Sequence, residues 1–163
     1  MNTFKMEKAL NDHILEEMYS SYLYLAMAAS AHNLGLNGFA HWFKIQSKEE
    51  WGHAMKMFEF IIQRGGRVAL KDIKKPPHDF GTPHAMIKKT YEHEQKVSAL
   101  LNKLYEEAGR IKDNATQVML QWFIQEQVEE EAQVAELLQK FNYISEKSSA
   151  ILYLDKEMKK REG

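Results

Sequence analysis

Cysteine is absent from all 163 residues. That excludes a disulfide scaffold, a thiolate zinc site and an iron–sulfur cluster. A metal site in this chain has to be built from Glu, Asp, His or Gln, donors that suit iron, manganese, magnesium or calcium. Charge of one sign is also missing. The formal net charge is −1 with no basic tail or stripe, which argues against nucleic acid as a partner. Long apolar runs are lacking too. The least polar stretch, Tyr22 to Ala31, is too short to span a bilayer, and Met1 to Lys8 contains no apolar signal core. The expectation is a soluble cytoplasmic protein with no membrane partner. Proline is scarce and clustered, at Pro76, Pro77 and Pro83, so the chain has one marked interruption.

What the sequence does have is helical periodicity almost throughout, which makes the fold class all-α. The length predicts one domain, residues 1–163, with a bundle over about 3–142 and a short helix over about 145–159. The predicted helices run from Thr3 to Ala31, Asn37 to Arg64, Pro83 to Ala108, Asn114 to Asn142, and from an N-cap at Ser145 to Lys159. Short turns make the first two helices antiparallel, and likewise the third and fourth. Between the pairs lies a connection of 18 residues, Gly65 to Thr82 (82 − 65 + 1). The second helix is about 42 Å long at 1.5 Å per residue. An extended connection of this length reaches roughly 60 Å, enough to cross the bundle. The third helix then starts parallel to the second, giving a four-helix bundle with one long crossover.

An internal echo carries the chemistry. Glu17, Glu50 and His53 map onto Glu94, Gln127 and Glu130 with a single offset of 77 (94 − 17, 127 − 50, 130 − 53). Two similar hairpins are implied. Each supplies one carboxylate from its first helix and an i, i+3 pair, which shares a face, from its second. Projected at about 100° per residue, each of these positions falls within an apolar stripe. Leu10, Ile14, Tyr24, Leu25 and Ala28 surround Glu17. Phe39, Phe43, Ala54, Met57 and Ile61 surround Glu50. Ile87, Tyr91, Leu101 and Tyr105 surround Glu94. Leu120, Phe123, Ile124, Val134 and Leu138 surround Gln127. Burying unpaired carboxylates costs several kcal/mol each, and no Lys or Arg lies on these stripes at that level. Two divalent ions would neutralise Glu17, Glu50, Glu94 and Glu130.

These segments (Glu17 to Tyr24, Glu49-Glu50-Trp51-Gly52-His53, Tyr91 to Glu94, and Glu126 to Glu130) together resemble the ferroxidase centre of bacterial non-haem ferritins. The resemblance covers essentially the whole chain. It implies a ferritin-like four-helix bundle with a short C-terminal helix, and an iron-storage protein that oxidises Fe(II) and keeps ferric mineral in a hollow shell. It places the first iron at Glu17, Glu50 and His53, and the second at Glu50, Glu94 and Glu130. Gln127 lies beside the second iron, where it can hold dioxygen or water. A third iron is implied at Glu49, Glu126, Glu129 and Glu130. Tyr24 is implied as an electron donor, with Trp122 a second candidate. The remaining partners implied are dioxygen or hydrogen peroxide and further copies of the chain, twenty-four in the family shell.

Two departures separate the chain from bacterioferritins. Gln127 and Glu130 stand where those proteins usually keep a second Glu-x-x-His. Trp51 stands where their haem-ligating methionine follows the bridging Glu, so no haem is expected. The absence of cysteine sets the chain apart from rubrerythrins with their rubredoxin module, and the intra-bundle ligand set from mini-ferritins. A di-iron redox enzyme or iron-binding regulator that stores nothing is the rival class, and a metal-free interaction bundle is the third. His13, His32, His41, His78, His84 and His93 match no motif position and are assigned surface or structural roles.

Overall fold

A computed structural model describes residues 4–145 and 148–163. Among them the chain forms five helices: α1 Glu7–Asn33, α2 Asn37–Gln63, α3 Pro83–Arg110, α4 Asn114–Phe141 and α5 Ala150–Met158. Their boundaries follow local chemistry. The Thr82 side chain accepts the Ala85 amide at the start of α3, with Pro83 in the first turn, where its missing N–H costs nothing. Asp113 caps α4 by accepting the Thr116 amide, and it also holds Arg64 at 2.8 Å from the end of α2. Gly65, at φ 72°, turns the chain out of α2, a conformation that a Cβ disfavours.

The ends differ from expectation by more than two residues in two places. The predicted start at Thr3 lies outside the described residues; helix begins at Glu7, after a turn in which the Glu7 amide bonds to Phe4 O. The last helix starts at Ala150, not at Ser145. Residues 146 and 147 lie outside the described residues; the Ser148 hydroxyl donates to Ser145 O.

α1 packs chiefly on α2, and α3 on α4, as two hairpins. The connection between them runs the length of the bundle along α1. At one end Asn11 Oδ1 accepts the Ala69 amide at 2.7 Å, and Glu7 accepts the Arg67 amide at 2.9 Å. At the other end Phe80 is buried with Met27, Met86 and Ile87. α5 lies across the start of α2. Asp155 Oδ1 accepts the Phe39 amide at 2.9 Å, and the approach is so close that a Cβ on Gly38 would stand 1.7 Å from Asp155 O.

The buried apolar side chains form two clusters, one at each end of the bundle. One contains Tyr24, Phe39, Phe43, Ile87 and Val134. The other contains Leu10, Ile14, Ala54, Met57, Leu101, Leu120 and Phe123. On every long helix the predicted site residue falls between the two, so a polar layer divides the core.

Candidate metal centre

All six residues of the internal echo are buried in that layer: Glu17, Glu50, His53, Glu94, Gln127 and Glu130. α1 contributes Glu17, α2 contributes Glu50 and His53, α3 contributes Glu94, and α4 contributes Gln127 and Glu130. The i, i+3 spacing turns Glu50 and His53 inward together, with His53 Nδ1 3.3 Å from Glu50 Oε2 and 3.8 Å from Glu17 Oε2. Glu130 Oε1 lies 3.9 Å from His53 Nε2.

Two groups of donors converge, each with its ligand atoms within 4.8 Å of one another: Glu17, Glu50 and His53, and Glu50, Glu94 and Glu130. Glu50 belongs to both. Among the described residues, Glu17 Oε2 and Glu130 Oε2 are the buried side-chain N or O atoms that find no hydrogen-bond partner. Such orphaned oxygens cost free energy unless something else meets them. A cation does so. The donor set, carboxylate oxygens with one imidazole, fits iron.

The electrostatics agree. Burial pushes the Glu50 carboxyl well above the usual range, and the facing charges of Glu130, Glu94 and Glu17 push it further. Burial, then Glu94 and Glu17, raises Glu130 to about 10. Glu94 is raised by burial, against hydrogen bonds from Tyr24 and Gln127. Of the four, Glu17 alone goes down: burial pushes it up, but His13, Glu50 and His53 together outweigh that. Four carboxyls packed this closely do not share their negative charge without counter-ions.

The surrounding side chains hold the donors in place. The Tyr24 hydroxyl donates to Glu94 Oε1. Its ring is fully buried, stacked on Phe43 and edge-on to His93. Burial, then the charges of Glu94 and Glu50, holds its phenol well above the ordinary value, so it keeps its proton. Gln127 Nε2 donates to Glu94 Oε2 at 2.6 Å and to Glu94 O at 2.9 Å. Trp122 meets His53 edge-on with centroids 5.6 Å apart, and Lys56 Nζ sits 3.8 Å over the indole. A groove of about 270 Å³ between α3 and α4, lined in part by Leu101, Ile124, Gln127 and Glu131, opens on the Gln127 side.

The third predicted set is not gathered in this way. Glu130 is buried, Glu126 and Glu49 are half-buried, and Glu129 is exposed. Glu49 Oε2 is bound by Arg161 Nη2 at 2.6 Å. Leu25 also departs from expectation, at 48% exposed. Eight residues beyond Glu17 it has rotated by about 80° from that stripe, which puts it on the flank.

Sequence reasoning missed two neighbours of the site. His13 is buried one turn before Glu17, with Nε2 2.8 Å from Glu17 Oε1. Its i, i+4 spacing to Glu17 was the available signal. Arg161 had none, because its approach depends on where α5 sends the chain.

The ferritin-like domain family matches residues 7–144. A bacterial non-haem ferritin of Bacteroides fragilis is 40% identical over 157 residues, covering 96% of this chain and 98% of that one. One of Campylobacter jejuni is 33% identical over 152 residues, covering 93% and 91%. Among solved structures, an open-pore ferritin of the hyperthermophilic archaeon Archaeoglobus fulgidus superposes with a TM-score of 0.96 at 44% identity, covering 99% of this chain and 100% of that one. A humanized archaeal ferritin gives 0.97 at 45% identity, with full coverage of both chains.

Proposed function

Since the chain belongs to the ferritin-like family, we propose that it stores iron and oxidises Fe(II) at the buried centre, as a ferroxidase within a hollow shell of twenty-four copies in the cytoplasm. The observation that carries this reading is the pair of donor groups sharing Glu50 inside an otherwise apolar core. Iron is the substrate and the cargo here.

In this reading Glu17, Glu50 and His53 take one Fe(II), and Glu50, Glu94 and Glu130 take the other. Glu130 and Glu50 give up protons as the ions arrive, because their carboxyls are protonated more readily than ordinary ones. The anionic oxygens favour the higher charge of Fe(III), which lowers the cost of oxidation. Each Fe(II) loses one electron, and dioxygen takes both with two protons, leaving as hydrogen peroxide. Gln127 sits beside Glu94, at the groove, where it can orient the oxidant. Tyr24, hydrogen-bonded to Glu94, is placed to lend one of these two electrons early, its proton passing to Glu94, and to regain both electron and proton when the second Fe(II) is oxidised. Lys56 over the Trp122 face makes a cationic indole costly, which favours Tyr24 as the donor. Product iron moves to the cavity as hydrated ferric oxide.

The test is aerobic loading with excess Fe(II), followed by size-exclusion chromatography with protein and ferric absorbance recorded together. Ferric iron far above two per chain, on a shell-sized particle, is expected. About two irons per chain on a small oligomer would instead favour a di-iron redox enzyme that stores nothing. Glu50→Ala removes the shared ligand, and rapid oxidation should fall by at least about tenfold, since losing one buried ligand exceeds 1.4 kcal/mol. Wild-type kinetics in that variant would contradict the assignment.

A further inference from the structure

The carboxylate that the ferritin resemblance assigns to a third iron, Glu49, already has a cation on it. Arg161 Nη2 donates to Glu49 Oε2 at 2.6 Å, and Nη1 donates to Gln46 Oε1 at 3.0 Å. The guanidinium carbon lies 4.5 Å over the Trp42 ring. The Arg161 side chain is 15% exposed. A guanidinium with two directed partners and an aromatic face is held far more firmly than an exposed surface pair.

The backbone around it is held as well. Arg161 O accepts from His41 Nε2 at 2.8 Å. Gly163 lies against Ile45, where an added Cβ would be 3.2 Å from Cγ2. Residues after α5 therefore run as a strap along α2, beside the metal centre. Gln46, the second partner of Arg161, donates from Nε2 to Glu50 Oε1 at 3.2 Å. The strap thus reaches the shared ligand through a single side chain.

We infer that Arg161 is a built-in counter-ion that takes the place of a third iron at Glu49, so that a metal ion fills the outer position only when Arg161 releases it. This rests on the di-iron reading of the centre. The guanidinium occupies Glu49 Oε2, and its charge repels a metal ion on the carboxylate's other oxygen, so metal and guanidinium compete, and each weakens the other by the same factor. Arg161 is a positioning residue, acting on the iron count through Glu49 and on Glu50 through Gln46.

The test is anaerobic calorimetric titration of metal-free, assembled protein with Fe(II), for wild type, R161A and the double variant R161A/E49Q. Wild type should bind two Fe(II) per chain tightly and a third weakly. R161A should tighten the third step by roughly five- to a hundredfold, the usual size of such coupling, and R161A/E49Q should lose that gain. A third step equal in wild type and R161A, or a gain that survives E49Q, would overturn the inference while the di-iron reading stands. Failure of wild type to bind two ions would remove that reading, and this inference with it. A second readout needs no variant. Hydrogen exchange at the Lys160 and Arg161 amides, now bonded to Glu157 O and Met158 O, should quicken once Zn(II) fills the outer position. Unchanged exchange with three Zn(II) bound per chain would equally overturn the competition.

Discussion

At the scale of single residues, the proposed centre sets its candidate ligands among side chains that would steer their protons and electrons. Tyr24 and Trp122 both lie near the donors, but their surroundings differ. Tyr24 donates to Glu94 and is fully buried, whereas Trp122 carries the Lys56 ammonium on its face. Tyr24→Phe should therefore leave two Fe(II) bound per chain and slow their oxidation. Trp122→Phe should slow oxidation less than Tyr24→Phe does, since the Lys56 ammonium on its face makes an oxidised indole costly. Stopped-flow absorbance beside anaerobic titration separates the two effects; a larger loss in Trp122→Phe would reverse the assignment. Protons give a second handle. Glu130, raised to about 10 by burial and by Glu94 and Glu17, is protonated in the metal-free protein at neutral pH. Metal binding near pH 7 should then release at least one proton per chain. Zn(II) calorimetry in buffers of different ionisation enthalpy counts it, and zero release would contradict the protonated state.

At the scale of helices, four long elements carry the site and a fifth controls its surroundings. α1 to α4 are pinned by caps such as Thr82 and Asp113 and by the apolar clusters above and below the polar layer. α5 is docked by Ile151, Leu154 and Met158, which are buried in the core, by the close approach of Gly38 to Asp155 O, and by the Phe39 amide, which donates to Asp155 Oδ1. Gly38→Ala places a methyl where backbone already stands, a strain of about 1–3 kcal/mol. The expected outcome is local: faster hydrogen exchange over residues 150–158, with slow exchange kept in α1 to α4. Uniform protection at wild-type level would mean that the close approach does not hold α5.

At the scale of the whole molecule, the polar layer is a site built at the expense of stability. Glu130 takes up a proton more readily folded than unfolded, where its ordinary value is near 4.5. Its contribution to stability is thus fully present below about pH 4.5 and is lost as pH rises through about 10. Metal-free protein should lose part of its stability over that window. Glu130→Gln, which has no proton to lose, should flatten the loss and raise metal-free stability near pH 8 by about 1–4 kcal/mol while weakening metal binding. Thermal melts across pH with and without Zn(II) measure both effects, and a metal-free Tm that rises with pH would contradict the argument. No described helix is long and apolar enough to cross a membrane.

Much of this was legible in one dimension because it depends on periods. Helical spacing fixes a face, so Glu17, Glu50, His53, Glu94, Gln127 and Glu130 could be picked out by their offset and their apolar flanks. The length of the connection, weighed against the length of a helix, set the direction of α3. Residues whose role depends on angle or distance between elements were not legible. Leu25 drifted off its stripe through accumulated rotation. Arg161 lies 112 residues beyond Glu49 (161 − 49), and only the docking of α5 on Gly38 and Phe39 brings its guanidinium to that carboxylate. The amino-acid order by itself determined which side chains face the core and which chemistry they offer. Tertiary structure decided how close the donors come, which oxygens are left without partners, and which cation already stands beside them, because those depend on how separately formed helices pack.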